Sequence, residues 1–192
     1  MPSFFELAIR TIWCVVLGYW LWAAQTVKGA QRKEPALKRL FAYWLPLVVA
    51  ALLLGPGSWF GHSPLRAPFM PTTMLVLIGG ITLAILGACL AIYSRVLLGR
   101  NWSATVQLKE SHELITAGPY RWIRHPIYTG FLLIFLGHAL LIGEWRGLLA
   151  VAIVFASYWR KLRLEESWLV GHFGESYRAY QSCTKALLPG LF

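Results

Sequence analysis

Apolar residues occur along this chain in long, nearly uninterrupted stretches that are separated by short polar segments. A helix that crosses a bilayer core of about 30 Å needs about 20 mostly apolar residues. Five stretches meet or approach that length, and they predict spans at residues 7–24, 40–54, 72–98, 127–143 and 145–158. The pattern therefore predicts an all-α integral membrane protein with about five transmembrane helices.

Local signals indicate where several of these helices end and how two of them pair. The second span is predicted to end at the Gly-Pro-Gly sequence of residues 55–57, and the third to begin at Thr72. A single residue, Glu144, separates the fourth span from the fifth, which predicts a tight C-terminal helical hairpin. The glycines at 79–80 and at Gly87 predict a close helix contact for the third span.

Positive charge is distributed unevenly between the loops. The chain has 18 Lys and Arg residues against eight Glu and no Asp, which gives a formal net charge of +10. With five spans, 15 of the 18 basic residues fall on one side, in residues 25–39, 95–125 and 160–185. Because basic residues favour the cytoplasmic side of membranes, the N-terminus is predicted outside and the C-terminus and active site on the cytoplasmic face.

Composition excludes several other classes of protein. The chain is 57% hydrophobic and 14% charged, whereas soluble domains have about 25% charged residues. The basic residues interrupt apolar spans, so we predict no nucleic-acid binding. The three cysteines are far apart, and no second histidine shares a face with His138, so we predict no metal site and a packing role for His138. The composition predicts no particular oligomeric state.

Two polar blocks flank the predicted hairpin, at residues 99–125 and 160–189. Because a hairpin brings its ends together, we expect the blocks to meet at the cytoplasmic face and form a shared pocket. Pro126 disfavours helix at His125 but suits the first turn of the fourth span. We therefore expect exposed backbone N–H groups at this helix entrance, where they are suited to a carboxylate.

The second polar block is expected to begin as an extension of the fifth helix beyond the membrane. Glu165 and Glu166 lie in this extension, and Lys161 shares a helical face with Glu165 because the two are four residues apart. Farther on, Tyr177 and Tyr180 are three residues apart. They predict a short amphipathic helix that lies on the membrane or roofs the pocket.

The two polar blocks contain an ordered set of motifs. These are Gly99-x-Asn101-Trp102, Gln107, His112-x-Leu114-Ile115-Thr116-x-Gly118-x-Tyr120, Arg124-His125-Pro126-x-Tyr128-x-Gly130, Glu165-Glu166 and Phe173-Gly174-x-x-Tyr177-x-x-Tyr180. Together they resemble the isoprenylcysteine carboxyl methyltransferase family, which belongs to a wider group that includes phospholipid methyltransferases. The resemblance divides the chain into three N-terminal spans at residues 1–98 and a membrane methyltransferase core at residues 99–192.

The resemblance implies an enzyme that takes a methyl group from S-adenosyl-L-methionine and leaves S-adenosyl-L-homocysteine. The implied acceptor is the carboxylate of a lipophilic, isoprenylcysteine-like molecule that enters laterally from the bilayer. The cofactor pocket of the family corresponds to Gln107, His112, Leu114, Ile115, Tyr120, His125, Pro126, Tyr128 and Glu165.

The candidate catalytic residues are Arg124, Lys161, Arg163 and Glu166. A cation among them would hold the acceptor carboxylate, and the resemblance places this role at Lys161, where the family has Arg; Arg160 and Arg163 are the neighbouring guanidinium groups. Because a carboxylate is already ionised at neutral pH, the reaction needs in-line placement in a dry pocket and no strong base.

Three other functions remain open from the sequence. The first is methylation of a different lipid or of a small thiol. The second is a nicotinamide-dependent membrane reductase of the sterol-reductase type, which has related His and Tyr motifs. The third is a non-enzymatic assembly subunit. Titration with both cofactors separates the first two, and binding of neither cofactor indicates the third.

Overall fold

The computed structural model describes residues 3–26, 30–33, 35–99, 107–109 and 114–188. In this part of the chain the α-helices are α1 (Ser3–Ala23), α2 (Ala36–Arg39), α3 (Leu45–Leu53), α4 (Met74–Leu98), α5 (Pro126–Ile142), α6 (Trp145–Phe173) and α7 (Glu175–Cys183). A π-helical turn, Leu40–Trp44, joins α2 to α3. Short 3₁₀ turns lie at Ala24–Thr26, Gly57–Phe60, Pro64–Arg66 and Gly118–Arg121.

Two short strands are an exception to the all-α prediction. Strand β1 (Ala30–Lys33) pairs antiparallel with β2 (Gln107–Lys109), with Lys33 opposite Gln107. Both strands lie in polar loops: β1 has four residues without alternation of apolar and polar side chains, and β2 has three residues, too few for that pattern to predict a strand. The rest of the described fold is helical, as predicted.

Several helices have the length and composition of membrane spans. Three of them, Ser3–Ala23, Ala36–Leu53 and Met74–Leu98, are long and apolar enough to cross a bilayer, and Pro126–Ile142 is a shorter apolar helix. Large apolar side chains face outward on these helices. Leu75, for example, has 80% of its surface exposed. Because water would disfavour such surfaces, the fold is that of an integral membrane protein.

The helix ends agree with the predicted spans to within a few residues. Helix α3 ends at Leu53, directly before the Gly-Pro-Gly sequence. Helix α4 begins at Met74, two residues later than predicted, because the Thr73 hydroxyl caps it by accepting the N–H of Val76 at 3.4 Å. Helix α6 continues to Phe173, so the predicted extension beyond the fifth span is confirmed.

Helices α4 and α5 approach each other at two pairs of glycines. A Cβ atom added to Gly80 would lie 2.8 Å from the carbonyl oxygen of Gly137, and one added to Gly130 would lie 2.6 Å from that of Gly87. A Cβ added to Gly79 would meet no atom within 4 Å. The predicted close contact is therefore confirmed at Gly80 and Gly87, whereas Gly79 takes no part in it.

Helix α5 contributes to both apolar clusters of the core. One cluster joins it to α3 and α6 through residues such as Ala50, Phe135 and Val154, and the other joins it to α1 and α4. At the second cluster, the indole N–H of Trp13 donates to Nδ1 of His138 at 3.2 Å, which agrees with the packing role expected of this histidine. Each cluster contains residues from both sides of position 98, and the two-part division of the chain stays a prediction.

The turn between α5 and α6 is held by a buried arginine. Arg146 donates to the carbonyl oxygens of Leu53 at 2.7 Å and Gly55 at 2.6 Å, at the end of α3 where helical carbonyls lack partners. It also pairs with Glu144, which lies 3.6 Å from the guanidinium of Arg66. The predicted tight hairpin is confirmed, and its turn is anchored to the end of α3.

The glycine contact predicts a difference between two matched substitutions. We expect Gly87→Ala to lower the free energy of unfolding by about 1–3 kcal/mol, because the new methyl group would push α4 away from the α5 backbone. Gly79→Ala, in the same helix, should stay within about 0.5 kcal/mol of wild type. Thermal unfolding of the detergent-solubilised proteins measures both changes. Equal unfolding temperatures for the two variants would contradict the contact.

Candidate functional site

The extension of α6 brings the two polar blocks together. Helix α6 has 29 residues and is about 43 Å long, so it runs well past the start of α5 beside it. Its last third places Glu165 and Glu166 next to His125, the residue that precedes α5. Nδ1 of His125 lies 3.7 Å from Glu165, and Nε2 lies 3.1 Å from Glu166. The blocks meet at the open end of the hairpin, as expected.

Three aromatic rings form a column beside Glu165. The ring of His125 stacks on Tyr128 with centroids 5.4 Å apart, and Tyr128 stacks on Tyr158 at 4.7 Å. The Tyr128 hydroxyl donates to the Glu165 carboxylate, with distances of 2.8 and 2.7 Å to its two oxygens. On the same tyrosine ring lies the ammonium of Lys161, 5.1 Å from the centroid. The column therefore carries a carboxylate and a cation at its edge.

The neighbouring carboxylate, Glu166, is surrounded by donors. Arg124 Nε donates to it at 2.6 Å, His125 Nε2 lies 3.1 Å away, and the Gln181 amide donates at 3.1 Å. Burial acts to raise the pKa of Glu166, but the hydrogen bonds and charges of His125 and Arg124 outweigh it and lower the pKa to about 2. Glu166 is therefore ionised at neutral pH and tied to the start of α5 and the end of α7.

A C-terminal segment, residues 184–187, covers the backbone at the start of α5. The N–H groups of Arg124 and His125 donate to the carbonyls of Lys185 at 2.8 Å and Ala186 at 2.9 Å. The Thr129 hydroxyl donates to Leu187 at 2.7 Å. Both N–H groups precede the helix, and this segment supplies the acceptors that buried N–H groups need. The expectation of exposed N–H groups at the entrance of α5 stays a prediction for its first turn.

Helix α7 covers the site from the side of Tyr120. The Tyr180 hydroxyl donates to the carbonyl of Tyr120 at 2.5 Å, and the Tyr120 hydroxyl donates to Ser94 in α4 at 3.3 Å. Burial raises the pKa of Tyr180 to about 12, so it stays protonated and keeps this bond. Tyr177 is 2% exposed. Of the two roles expected for the amphipathic helix, these contacts favour the roof over a helix lying on the membrane.

The remaining predicted site residues lie at different distances from this cluster. Pro126 is buried at the start of α5, and Leu114 and Ile115 are half-buried ahead of the Gly118–Arg121 turn. Gln107 lies in β2, and His112 lies outside the described residues.

Of the predicted cations, Arg124 and Lys161 reach the cluster, whereas Arg163 lies on a different face of α6. Lys161 is 7% exposed and Arg163 is exposed. Arg163 is two residues from both Lys161 and Glu165, and residues so spaced lie on opposite faces of a helix. The structure therefore brings Lys161 and Glu165 together but leaves Arg163 on the far side of α6.

Some members of the site had no assigned role in the sequence. Tyr158 completes the aromatic column. It precedes Lys161 by three residues and Glu165 by seven, and this spacing places all three on one helical face. The sequence therefore contains a signal for the role of Tyr158. Gln181 and the carbonyls of residues 184–187 carry no comparable signal, because their role depends on how the end of the chain docks.

Comparisons with known proteins relate this chain to one family. The family model described as phospholipid methyltransferase matches residues 75–176, just over half of the chain. A protein-S-isoprenylcysteine O-methyltransferase of Schizosaccharomyces pombe is 31% identical over 159 residues, which cover 77% of this chain and 67% of that protein. The chain belongs to the isoprenylcysteine carboxyl methyltransferase family. The resemblance seen in the sequence motifs is thereby confirmed.

Other members of this family are longer than the present chain. The protein-S-isoprenylcysteine O-methyltransferase of Homo sapiens is 30% identical over 78% of this chain and 53% of its own length. A solved structure of a eukaryotic intramembrane Ras methyltransferase, isoprenylcysteine carboxyl methyltransferase, aligns with a TM-score of 0.52 at 26% identity. It covers 82% of this chain and 54% of that chain. The chain thus spans about half the length of these two relatives.

The lowered pKa of Glu166 predicts how acid affects stability. Its folded pKa of about 2 lies below the ordinary value of 4.5, so its contribution is complete above about pH 4.5 and is lost as the pH falls toward 2. We expect Glu166→Gln to lower the free energy of unfolding by about 1–3 kcal/mol at pH 7, with a smaller difference from wild type near pH 3. Thermal unfolding across this pH range is the measurement. A difference that grows on acidification would contradict the assigned ion pair.

Proposed function

We propose that this chain transfers a methyl group from S-adenosyl-L-methionine to the carboxylate of a lipophilic, isoprenylcysteine-like acceptor. The observation that carries the proposal is the convergence of Glu165, Tyr128 and His125 at the open end of the hairpin. Membership of the isoprenylcysteine carboxyl methyltransferase family supports methyl transfer, and the names of the relatives support the acceptor class.

The chemistry of the site suits this methyl donor. Glu165 accepts hydrogen bonds from Tyr128 and keeps 20% of its side chain exposed, so its oxygens can accept further bonds from hydroxyl or ammonium groups. The aromatic column beside Glu165 suits a sulfonium nearby, since aromatic rings attract cations. When bound, S-adenosyl-L-methionine supplies an electrophilic methyl group. We assign its binding to Gln107, His112, Leu114, Ile115, Tyr120, His125, Pro126, Tyr128 and Glu165.

Lys161 is the cation that we assign to the acceptor carboxylate. Its ammonium lies on the ring of Tyr128, and it precedes Glu165 by one helical turn, so the acceptor and the cofactor would lie side by side. A single ammonium holds a carboxylate as a point charge, without the two parallel bonds that a guanidinium makes. Arg163 stays a second candidate from the sequence, on the other face of α6.

Arg124 and Glu166 serve the reaction by holding His125. Arg124 directs its Nε to Glu166 and its Nη1 to the backbone carbonyls of Gln181 and Thr184. Glu166 in turn fixes the imidazole of His125 through its Nε2. Because the acceptor carboxylate is ionised at neutral pH, the site needs orientation and exclusion of water more than a general base.

The same proposal includes a topology in the membrane. We propose five spans with the N-terminus outside, the active site on the cytoplasmic face and the acceptor entering laterally between helices. The uneven distribution of basic residues supports the orientation. Outward-facing apolar side chains on α1, α3 and α4 support the bilayer as partner. We keep residues 1–98 as the N-terminal spans and residues 99–192 as the methyltransferase core.

The acceptor is identified by following a labelled methyl group. Membranes containing the protein are incubated with S-adenosyl-L-methionine labelled in its methyl group and with an S-prenylated cysteine. We expect label in the organic phase that mild alkali releases as methanol, because esters are hydrolysed by base whereas N-methyl and S-methyl groups are not. Label that survives alkali in a phospholipid or a thioether would overturn the carboxylate assignment.

A matched pair of Glu→Gln variants tests the cofactor site. We expect Glu165→Gln to weaken binding of S-adenosyl-L-homocysteine at least tenfold, about 1.4 kcal/mol, because it replaces a charged acceptor with an amide. Glu175→Gln, the same change at a carboxylate that is 83% exposed in α7, should bind as wild type does. Calorimetric titration of the purified proteins measures both affinities. Unchanged binding in Glu165→Gln, with its fold intact, would refute the assignment.

A further inference from the structure

The second long apolar helix, Ala36–Leu53, comprises α2, the π-helical turn and α3 and is called the second helix below. It has an irregular turn where it faces α6. Pro46 has no N–H, so it cannot donate to the carbonyl of Ala42, four residues before it, as an α-helix requires. The helix passes through the π-helical turn Leu40–Trp44 just before this proline. π-helical turns occur often at functional sites. The turn thus leaves the Ala42 carbonyl open to a partner from outside its own helix.

A serine of α6 takes that carbonyl as its partner. The Ser157 hydroxyl donates to the Ala42 oxygen at 2.8 Å, and Ser157 is 6% exposed. Arg160 and Lys161 follow Ser157 by three and four residues, so all three lie on the face of α6 that meets the second helix. The hydrogen bond therefore holds the irregular turn against the segment of α6 that carries Lys161.

The residue after Ala42 is a buried tyrosine that contacts this cation. Tyr43 is 4% exposed, and its ring centroid lies 5.5 Å from the Lys161 ammonium and 5.4 Å from the Arg160 guanidinium. Since Tyr128 lies 5.1 Å from the same ammonium, Lys161 contacts tyrosine rings from two different helices. Trp44, the next residue, is 50% exposed, as an aromatic anchor at a membrane interface would be. Tyr43 does not have that exposure.

We propose that Tyr43 is a positioning residue for the acceptor: its ring holds the Lys161 ammonium in place and thereby sets the affinity for an anionic acceptor carboxylate. This inference rests on the proposed function, because it assigns Lys161 to the acceptor. A lysine has four flexible methylene groups, and a cation–π contact on its ammonium reduces the freedom of that charge. Tyr43 lies outside residues 75–176, so the inference extends the site to a helix that the family model does not match.

The first experiment separates the acceptor from the cofactor. Tyr43→Leu removes the ring, Tyr43→Phe keeps it, and Trp44→Leu is the exposed control. With a short S-prenylated cysteine as acceptor, we expect Tyr43→Leu to raise the acceptor KM at least fivefold while the affinity for S-adenosyl-L-homocysteine stays within twofold. Tyr43→Phe and Trp44→Leu should each stay within twofold in both quantities. An unchanged acceptor KM in Tyr43→Leu, or an equal rise in Trp44→Leu, would overturn the proposal.

A double variant tests whether Tyr43 acts through Lys161. If it does, adding Tyr43→Leu to Lys161→Met should raise the acceptor KM by less than twofold beyond the single lysine variant. A further fivefold rise in the double variant would show that Tyr43 acts independently, and the proposal would fail. Thermal unfolding temperatures within a few degrees of each other confirm that all variants are folded.

A binding measurement without turnover separates this inference from the proposed function. Tryptophan fluorescence follows binding of the S-prenylated cysteine as the free acid and as its methyl ester. We expect wild type to prefer the acid at least fivefold and Tyr43→Leu to lose that preference. If wild type transfers no methyl group but this pattern holds, the proposed function fails and the role of Tyr43 stands. If wild type transfers methyl while Tyr43→Leu keeps the preference, the role of Tyr43 fails alone.

Discussion

A largely buried carboxylate needs hydrogen-bond donors and positive charges in place of water, and the residues around Glu166 supply them. Its partners come from two other parts of the chain: Arg124 and His125 lie ahead of α5, and Gln181 lies near the end of α7. Once Glu166 has these partners, the start of α5, the last third of α6 and the end of α7 have fixed relative positions. Removing one of these partners leaves the largely buried charge of Glu166 only partly matched, which costs more stability than losing an average surface ion pair.

The place where these groups meet is determined by contacts at some distance from them. The glycine pairs allow the backbones of α4 and α5 to touch, and Arg146 anchors the hairpin turn to α3. With the turn fixed, the greater length of α6 carries its carboxylates to the opening of the hairpin. The apolar packing of the bundle and the polar chemistry of the site are thus linked through the length of one helix.

Most of the fold follows from local patterns, whereas parts of the site do not. Runs of apolar residues predict the helices, and α4 begins two residues after its predicted start because Thr73 is its N-cap. The meeting of His125 with Glu165 follows from a one-residue hairpin and a charged helix extension. The docking of residues 184–187 depends on backbone carbonyls. Because every residue has a backbone carbonyl, no residue type in the sequence predicts this docking. The role of Tyr43 depends on an irregular turn that apolar periodicity does not reveal.

The π-helical turn also changes which residues of the second helix, Ala36–Leu53, share a face. Such a turn contains one more residue than an α-helical turn, which shifts the angular position of everything after it by about 100°. A single helical wheel drawn through Ala36–Leu53 would therefore assign lipid-facing and protein-facing sides incorrectly for one of its halves. Two wheels, one ending at Arg39 and one beginning at Leu45, describe the faces of this helix.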